Sequence, residues 1–101
     1  MAIEIGAVLT ALADASRRRI VTRLAQGPAT TGQLAELLPI SRPAVSQHLK
    51  ILQTADVVRT TLTGRHRWHE LNPEPLQSLA AWSLDVAALH STSTTPDASA
   101  S

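Results

Sequence analysis

The chain has 101 residues, which is enough for one domain built around a single hydrophobic core. Hydrophobic residues make up 44% and aromatic residues 2%, so the core must be assembled from Leu, Val, Ile and Ala, a composition that favours helices. There is no cysteine, which excludes disulfides, thiolate metal sites and thiol nucleophiles. No apolar run approaches the roughly 18 residues of a membrane span, and no signal-peptide pattern opens the chain, so we expect a soluble cytoplasmic protein.

The charges are unevenly distributed along the chain. The formal net charge is only +1, but the segment from Ser41 to Arg67 carries five basic residues against a single acid, Asp56. The five are Arg42, Lys50, Arg59, Arg65 and Arg67. A basic patch on a nearly neutral body is what electrostatic attraction to nucleic-acid phosphates requires.

Two amphipathic helices are predicted at the start of the chain. The first lies within residues 1–13, where Ile5, Val8, Leu9 and Leu12 follow the i, i+3, i+4, i+7 spacing of one helix face. Asp14 or Ser16 caps the second, which runs to about Gln26 and ends at Gly27-Pro28. Its basic residues are Arg17, Arg18, Arg19 and Arg23. A basic run of this kind is usually a solvated face, and contact with phosphate is the alternative.

A helix-turn-helix follows. Thr30 or Thr31 caps a short helix through Leu38, and Pro39-Ile40-Ser41 forms a tight turn into the next helix. Ser41 is a suitable N-cap for that helix, and Pro43 falls in its first turn, where a missing N–H is tolerated. Two helices joined in this way place the second in a DNA major groove and the first across the backbone.

The helix that begins after Ser41 has one polar and one apolar face. A polar arc of about 140° contains Arg42, Pro43, Ser46, Gln47, Lys50 and Gln53, and the other side contains Val45, Leu49, Ile51, Leu52 and Ala55. The polar arc has no acid, and Arg, Ser, Gln and Lys pair with base edges and phosphates. An ordinary solvated face is the alternative. His48 projects within the apolar arc, so we expect a core histidine.

A β-hairpin, or wing, is predicted next. Val57 to Leu62 is rich in β-branched residues, Thr63-Gly64 forms a turn, and Arg65 to Leu71 returns. On the returning strand Arg65, Arg67 and His69 point one way, while His66, Trp68 and Glu70 point the other. The arginines at the tip, with Arg59 on the paired strand, are expected to reach DNA. In a regular strand Leu71 would lie on the same side as Arg65 and Arg67, so a β-bulge in this strand is an open alternative. We expect Trp68 to be partly buried.

The last helix opens at Asn72 or Pro73, has Pro75 in its first turn and runs to about His90. Its apolar stripe and that of the first helix together suggest a homodimer interface. The interface residues are Ile5, Val8, Leu9, Leu12, Leu79, Trp82, Val86 and Leu89. The alternative is that both helices only close the monomer core. Residues 1–90 are thus the DNA-binding and dimerisation domain, and 91–101 are expected to be a disordered tail.

Four motifs together resemble the ArsR/SmtB family of bacterial winged-helix repressors. They are Leu12 to Ile20, Gly32 to Ala35, Ser41 to Lys50, and Gly64-Arg65. The resemblance implies a mainly α winged helix-turn-helix with a small β-hairpin, in the order α-α-α-α-β-β-α. It also implies homodimers, paired through their first and last helices, that bind imperfect palindromes in promoters and often leave them when an effector binds. The two Ser41 to Lys50 segments would then enter successive major grooves about 34 Å apart.

The predicted function is a sequence-specific DNA-binding regulator, a repressor that binds a palindromic operator as a homodimer. The predicted DNA-binding residues are Ser41, Arg42, Ser46, Gln47, Lys50, Arg59, Arg65 and Arg67. A protein-interaction subunit that acts with a partner protein is the alternative from another class. An enzyme is the poorest interpretation, because the sequence shows no thiol nucleophile, no glycine-rich phosphate loop and no Ser/His/acid arrangement.

The metal sites of the resembled family are not intact in this sequence. The cysteine pair of its thiolate sensors would fall near Thr30 and Gly32, and the Asp-x-His pattern of its zinc-type sensors is missing after Asp85. His66 and His69 face opposite sides of a regular strand and cannot easily share one ion. No cofactor is therefore required. The alternative is a Ni²⁺ or Zn²⁺ effector site assembled across a dimer. Its ligands would come from His69, Glu70, Asp85 and His90.

Overall fold

A computed structural model describes residues 4–100, and the last ten of these by their backbone alone. The elements are α1 (Ile5–Leu12), α2 (Ala15–Leu24), β1 (Ala29–Thr30), α3 (Thr31–Leu37), α4 (Arg42–Thr54), β2 (Val58–Thr63), β3 (His66–Leu71) and α5 (Pro73–Ala100). The predicted helix-turn-helix and hairpin are confirmed, and β1 is an additional strand. The backbone of α5 continues past His90, where we expected its end. The predicted disordered tail falls outside the fully described residues and stays a prediction.

The helices begin where side chains satisfy their first backbone amides. The Thr30 hydroxyl accepts from the Gln33 amide at 3.2 Å, and the Gln33 side chain accepts from the Thr30 amide at 2.9 Å, a capping box. Ser41 Oγ accepts from the Ala44 amide at 3.3 Å, which fixes the start of α4. Asp14 caps α2, and the hydrogen bond from the Arg17 backbone amide lowers the pKa of its carboxyl group.

The end of α4 is tied to the beginning of α5. The Val57 amide donates to Leu52 O at 3.0 Å and the Asp56 amide to Gln53 O at 2.9 Å, the two bonds of a Schellman motif. Asp56 therefore has φ 62°, a left-handed conformation that is usually left to glycine. The buried Asn72 side chain donates to Asp56 O at 2.9 Å, which fixes this corner.

The core lies between the helices and the base of the wing. Its fully buried side chains include Val8, Ile20, Leu34, Val45, Leu52 and Val57. From α4 the predicted apolar face supplies Val45, Leu49 and Leu52, whereas Ile51 is 40% exposed. Burial of this face fixes the rotation of α4 about its own axis, and therefore fixes which residues point away from the core.

The sheet has the strand order β1-β3-β2, with all pairs antiparallel. The β2–β3 register runs without a break from Val58 opposite Leu71 to Thr63 opposite His66, so the suggested bulge is wrong. The turn is formed by residues 64–65 rather than 63–64, and Gly64 supplies the φ of 61° that it needs. β1 has only two residues, too few for any periodicity to reveal it.

Candidate nucleic-acid interface

The outward face of α4 is open, polar and free of acids. Arg42, Ser46, Gln47 and Lys50 are all exposed, while Val45 and Leu49, on the opposite face, are 0% and 2% exposed. The predicted division of this helix into two faces is therefore present in the fold. A face of this composition can offer hydrogen-bond donors and acceptors to base edges and positive charge to phosphates.

Three arginines, one from α4 and two from the wing, lie beside the beginning of α3. Arg42 from α4 and Arg65 and Arg67 from the wing line one cleft of about 420 Å³, together with Glu36. Arg42 lies across Gly32, where an added Cβ would stand 3.0 Å from its Nη2 atom. The fold thus concentrates positive charge between the wing and the helix-turn-helix.

Two further clefts flank α4. On the wing side, Ser46, Lys50 and Arg67 line a cleft of about 310 Å³. On the α1 side, Gln47 and Lys50 line a groove of about 500 Å³. The outward residues of α4 are therefore freely accessible on both sides, as a helix that enters a groove must be.

Arg59 does not lie on the same surface as the other predicted DNA-binding residues of the wing. It pairs with Glu70 across the hairpin, and the strand alternation places both on the sheet face opposite His69 and Arg67. The structure thus separates Arg59 from the other wing arginines and from α4. Trp68 lies on the same outer face and is 36% exposed, so it is not part of the core.

The arginines of α2 donate to backbone carbonyls instead of lining an open cleft. Arg17 Nε donates to Ala11 O at 2.7 Å and its Nη2 to Thr10 O at 3.2 Å, at the end of α1. The other three behave alike: Arg18 donates to Leu12 O at 2.8 Å, Arg19 to Leu37 O at 3.1 Å and Arg23 to Gly27 O at 2.9 Å. These side chains satisfy carbonyls at or just beyond helix C-termini, where a positive charge is favoured.

His48 lies at the edge of the core, half-buried, and not inside it as predicted. Its Nδ1 is 3.2 Å from Nη1 of Arg17. Since the guanidinium group can only donate, His48 Nδ1 must accept. The apolar arc of α4 thus ends at a polar contact with α2, which the helix periodicity alone did not reveal.

His69 is the buried polar residue of the wing. It is 2% exposed, and its Nε2 and Nδ1 lie 2.8 Å from the Thr31 and Thr60 hydroxyls respectively. Gln53 of α4 donates to the same Thr60 hydroxyl. Burial, and secondarily the charge of Arg67, lowers the pKa of the His69 imidazole. This network was not predicted from the sequence, although the correct hairpin register pairs Thr60 with His69.

The suggested metal site gains no support from this geometry. Both ring nitrogens of His69 are engaged by hydroxyl groups and are not available as ligands without rearrangement. Among the described residues, no three His, Cys, Asp or Glu side chains lie close enough together to hold a metal ion.

The predicted dimer residues have different environments in the protomer. Val8 is completely buried and offers no surface to a partner, while Ile5, Leu12 and Leu79 are partly buried. The remaining predicted residues are exposed: Leu9 by 46%, Trp82 by 49%, Val86 by 46% and Leu89 by 70%. Leu84, which was not predicted, is also 70% exposed.

Over the described residues, no helix has the length and hydropathy needed to cross a membrane.

The wing, the helix-turn-helix and the shared arginine cleft define a winged helix-turn-helix DNA-binding protein. The model of the bacterial regulatory proteins of the arsR family matches residues 14–60. The chain is 55% identical over 69 residues to the HTH-type transcriptional regulator Rv2034 of Mycobacterium tuberculosis. The aligned residues make up 68% of this chain and 64% of that relative, so the chain spans just under two thirds of the relative's length. It is 37% identical over 78 residues to the transcriptional repressor SdpR of Bacillus subtilis, across 77% of this chain and 87% of that one.

Solved structures agree with the sequence comparison. An ArsR-like transcriptional regulator from Rhodococcus sp. RHA1 superposes with a TM-score of 0.82 at 27% identity, covering 91% of this chain and 87% of that one. The chain therefore belongs to the ArsR family of bacterial regulatory proteins. This is a family of DNA-binding transcriptional regulators, not of enzymes.

Proposed function

We propose that the protein is a repressor that binds an imperfect palindromic operator as a homodimer in the cytoplasm. The observation that supports this most strongly is the acid-free outward face of α4 beside the cleft that Arg42, Arg65 and Arg67 share. A surface that only needed to be soluble would mix acidic and basic residues. One that meets DNA needs hydrogen-bonding groups in the groove and cations along its edges.

The residues of this surface have different proposed roles. Ser46 and Gln47, exposed along the middle of α4, would contact base edges, and Lys50 would contact a base edge or phosphate. Arg42, Arg65 and Arg67 would hold the phosphate backbone from the cleft between α3 and the wing. Ser41 caps α4 and would lie near a phosphate, whereas Arg59 is left out of the proposed set because it faces away.

The proposed dimer would form through α1 and α5. The two helices pack against each other within the protomer, and Leu9, Trp82, Val86 and Leu89 leave an apolar surface uncovered beside that contact. A two-fold axis there would make the same surface self-complementary. It would also present two copies of α4 to successive major grooves, about 34 Å apart.

Base readout is tested by Gln47→Ala, titrated against operator and scrambled duplexes. We expect the discrimination between the two duplexes to fall by about 1–3 kcal/mol, the range for one good base contact. Arg65→Ala is the matched control, because loss of a phosphate contact should weaken binding to both duplexes alike. An unchanged preference in Gln47→Ala would remove this residue from base readout.

The oligomer is tested by mass measurement in solution, with and without duplex DNA. A dimer that shifts onto the duplex is expected. A monomer that ignores DNA would instead favour the alternative, a subunit that uses its apolar helices to recruit a partner protein.

ArsR/SmtB family members are often metal-responsive, so a divalent metal is one class of effector to test. The proposed ligands are Glu70, Asp85 and His90 drawn from two protomers, with His69 only if its hydroxyl contacts break. Operator affinity should then change with Ni²⁺ or Zn²⁺ and recover with a chelator. An affinity that neither metal changes would exclude this effector class.

A further inference from the structure

The groove between α1 and α4 has the size and the lining of a small-molecule site. Its volume is about 500 Å³, within the range of ligand pockets in proteins. Gly6 and Ala7 of α1 and Ala55 of α4 have small side chains, so the two helices leave space between them. Ile51, which is 40% exposed, forms an apolar wall. The groove therefore suits the apolar part of an elongated small molecule.

Three side chains with hydrogen-bond donors also line this groove. Among the side chains that the structure describes, the Thr10 hydroxyl, the Gln47 amide and the Lys50 ammonium group donate to no protein acceptor. All three residues are exposed. The Thr54 hydroxyl, by contrast, donates to Lys50 O at 2.9 Å and is already engaged. A hydroxyl, an amide and an ammonium group can donate together to the two oxygens of one carboxylate.

The contacts of Arg17 show how the two helices lie relative to each other. Its Nη2 donates to Thr10 O at 3.2 Å, and its Nη1 lies 3.2 Å from His48 Nδ1. The last turn of α1 is therefore beside the middle of α4. Because Gln47 precedes His48, the donors of Thr10 and Gln47 belong to the same end of the groove.

The charge that an occupant of the groove meets is positive. Lys50 is the one charged residue among those that line the groove, and no acid is among them. Glu4 lies at the other end of α1, where its carboxylate accepts from the Gly6 amide at 2.9 Å. Asp14 follows the end of α1, accepts from the Arg17 amide and is attracted by the Arg17 charge. An anionic group is therefore favoured near Lys50 and disfavoured near Gly6.

We infer that this groove binds a free carboxylic acid with an apolar chain, and that the bound acid competes with DNA. The carboxylate accepts from Lys50, Gln47 and Thr10. The apolar chain lies along Ala7 and Ile51. The competition rests on the proposed function, in which Gln47 and Lys50 contact the operator.

Competition follows because the ligand and the operator use the same side chains. A carboxylate that holds the Gln47 amide and the Lys50 ammonium group leaves neither donor for a base edge or a phosphate. A ligand that binds only the DNA-free protein lowers the affinity for DNA, and the operator lowers the affinity for the ligand by the same factor. The acid would thus act as an inducer that releases the operator.

The test uses sodium decanoate as the probe, below the concentration at which it forms micelles. Decanol, which has the chain without the charge, and acetate, which has the carboxylate without the chain, are the controls. We expect decanoate to weaken operator binding by at least about fivefold, and each control to change it by less than about twofold. Equal effects of decanoate and decanol would overturn the inference.

Two variants locate the effect in the groove. Ala7→Leu fills the groove, and Ala15→Leu, at an exposed position of α2, is the matched control. We expect Ala7→Leu to bind the operator as the wild type does but to lose the response to decanoate, which Ala15→Leu keeps. Thr10→Val removes one donor at an exposed position and should weaken decanoate binding about three- to tenfold, even if Ala7→Leu fails to fold. A full response in Thr10→Val would overturn the inference.

A measurement without DNA separates this inference from the proposed function. We expect decanoate to shift the amide NMR signals of Thr10, Gln47 and Ile51 and to leave that of Thr61 in the wing unchanged. If decanoate shifts these signals but no duplex binds, the proposed function fails and the groove site stands. If the operator binds and decanoate shifts none of them, the groove site fails. It also fails if decanoate does not bind and Ala7→Leu dissociates the dimer, because the second subunit then covers the groove.

Discussion

The arginines of α2 and those around α4 differ in what their guanidinium groups contact. Arg17, like its three neighbours on α2, donates to backbone carbonyls, whereas Arg42, Arg65 and Arg67 line an open cleft. In the sequence the α2 run is the denser basic cluster, and yet it lies outside the candidate DNA surface. Basic residues close in sequence are therefore a poorer guide to a phosphate-binding surface than basic residues that the fold brings together.

The cause of this difference lies at the helix ends. Only Ala13 and Asp14 separate α1 from α2, so the first arginines of α2 stand beside the unpaired carbonyls at the end of α1. The last carbonyls of a helix have no intrahelical donor, and a guanidinium group provides several donors. Within the described part of the chain, Arg42, Arg65 and Arg67 donate no hydrogen bond to a carbonyl and line an open cleft, so they stay available to an external anion.

Arg17→Met should have the largest effect, because it keeps much of the side-chain volume but removes three contacts. The bonds to Ala11 O, Thr10 O and His48 Nδ1 are lost, and we expect the free energy of unfolding to fall by about 2–3 kcal/mol. Urea denaturation measures it. Arg42→Met is the control, expected to change stability by less than about 0.5 kcal/mol while weakening DNA binding. Equal stability losses in the two variants would contradict the division into internal and external arginines.

Gly32→Ala should have a smaller effect, because it moves the exposed Arg42 side chain without removing it. In Gly32→Ala the new Cβ would stand 3.0 Å from Arg42 Nη2, so the flexible guanidinium group must shift away from α3. We expect operator affinity to fall about two- to fivefold. Stability should rise by up to about 1 kcal/mol, because Ala is a better helix former than Gly. Unchanged affinity together with increased stability would show that the position of Arg42 over Gly32 has no role in binding.

Much of the fold could be predicted from local signals. The caps at Asp14, Thr30 and Ser41, the stop at Gly27-Pro28 and the two faces of α4 each depend on residues within a few positions of one another. Such short-range features are readable without tertiary contacts. The helix-turn-helix and the wing follow from them.

The features that were missed depend on pairing between distant segments. β1 exists because Ala29 pairs with His69, and the side of the hairpin that Arg59 takes follows from its pairing with Glu70 on the other strand. The role of His69 required knowledge that α3, α4 and β2 meet around it. The helix period likewise placed His48 on the apolar arc but could not show the Arg17 contact at its edge.

The most direct test of the account is the salt dependence of operator binding. Each phosphate contact that is lost reduces the slope of log K against log salt concentration by about 0.9 for duplex DNA. We predict this reduction for Arg65→Ala and an unchanged slope for Arg18→Ala, whose guanidinium group donates to Leu12 O at 2.8 Å. A slope that falls in Arg18→Ala and not in Arg65→Ala would contradict the assignment of the wing and α4 as the DNA-binding surface.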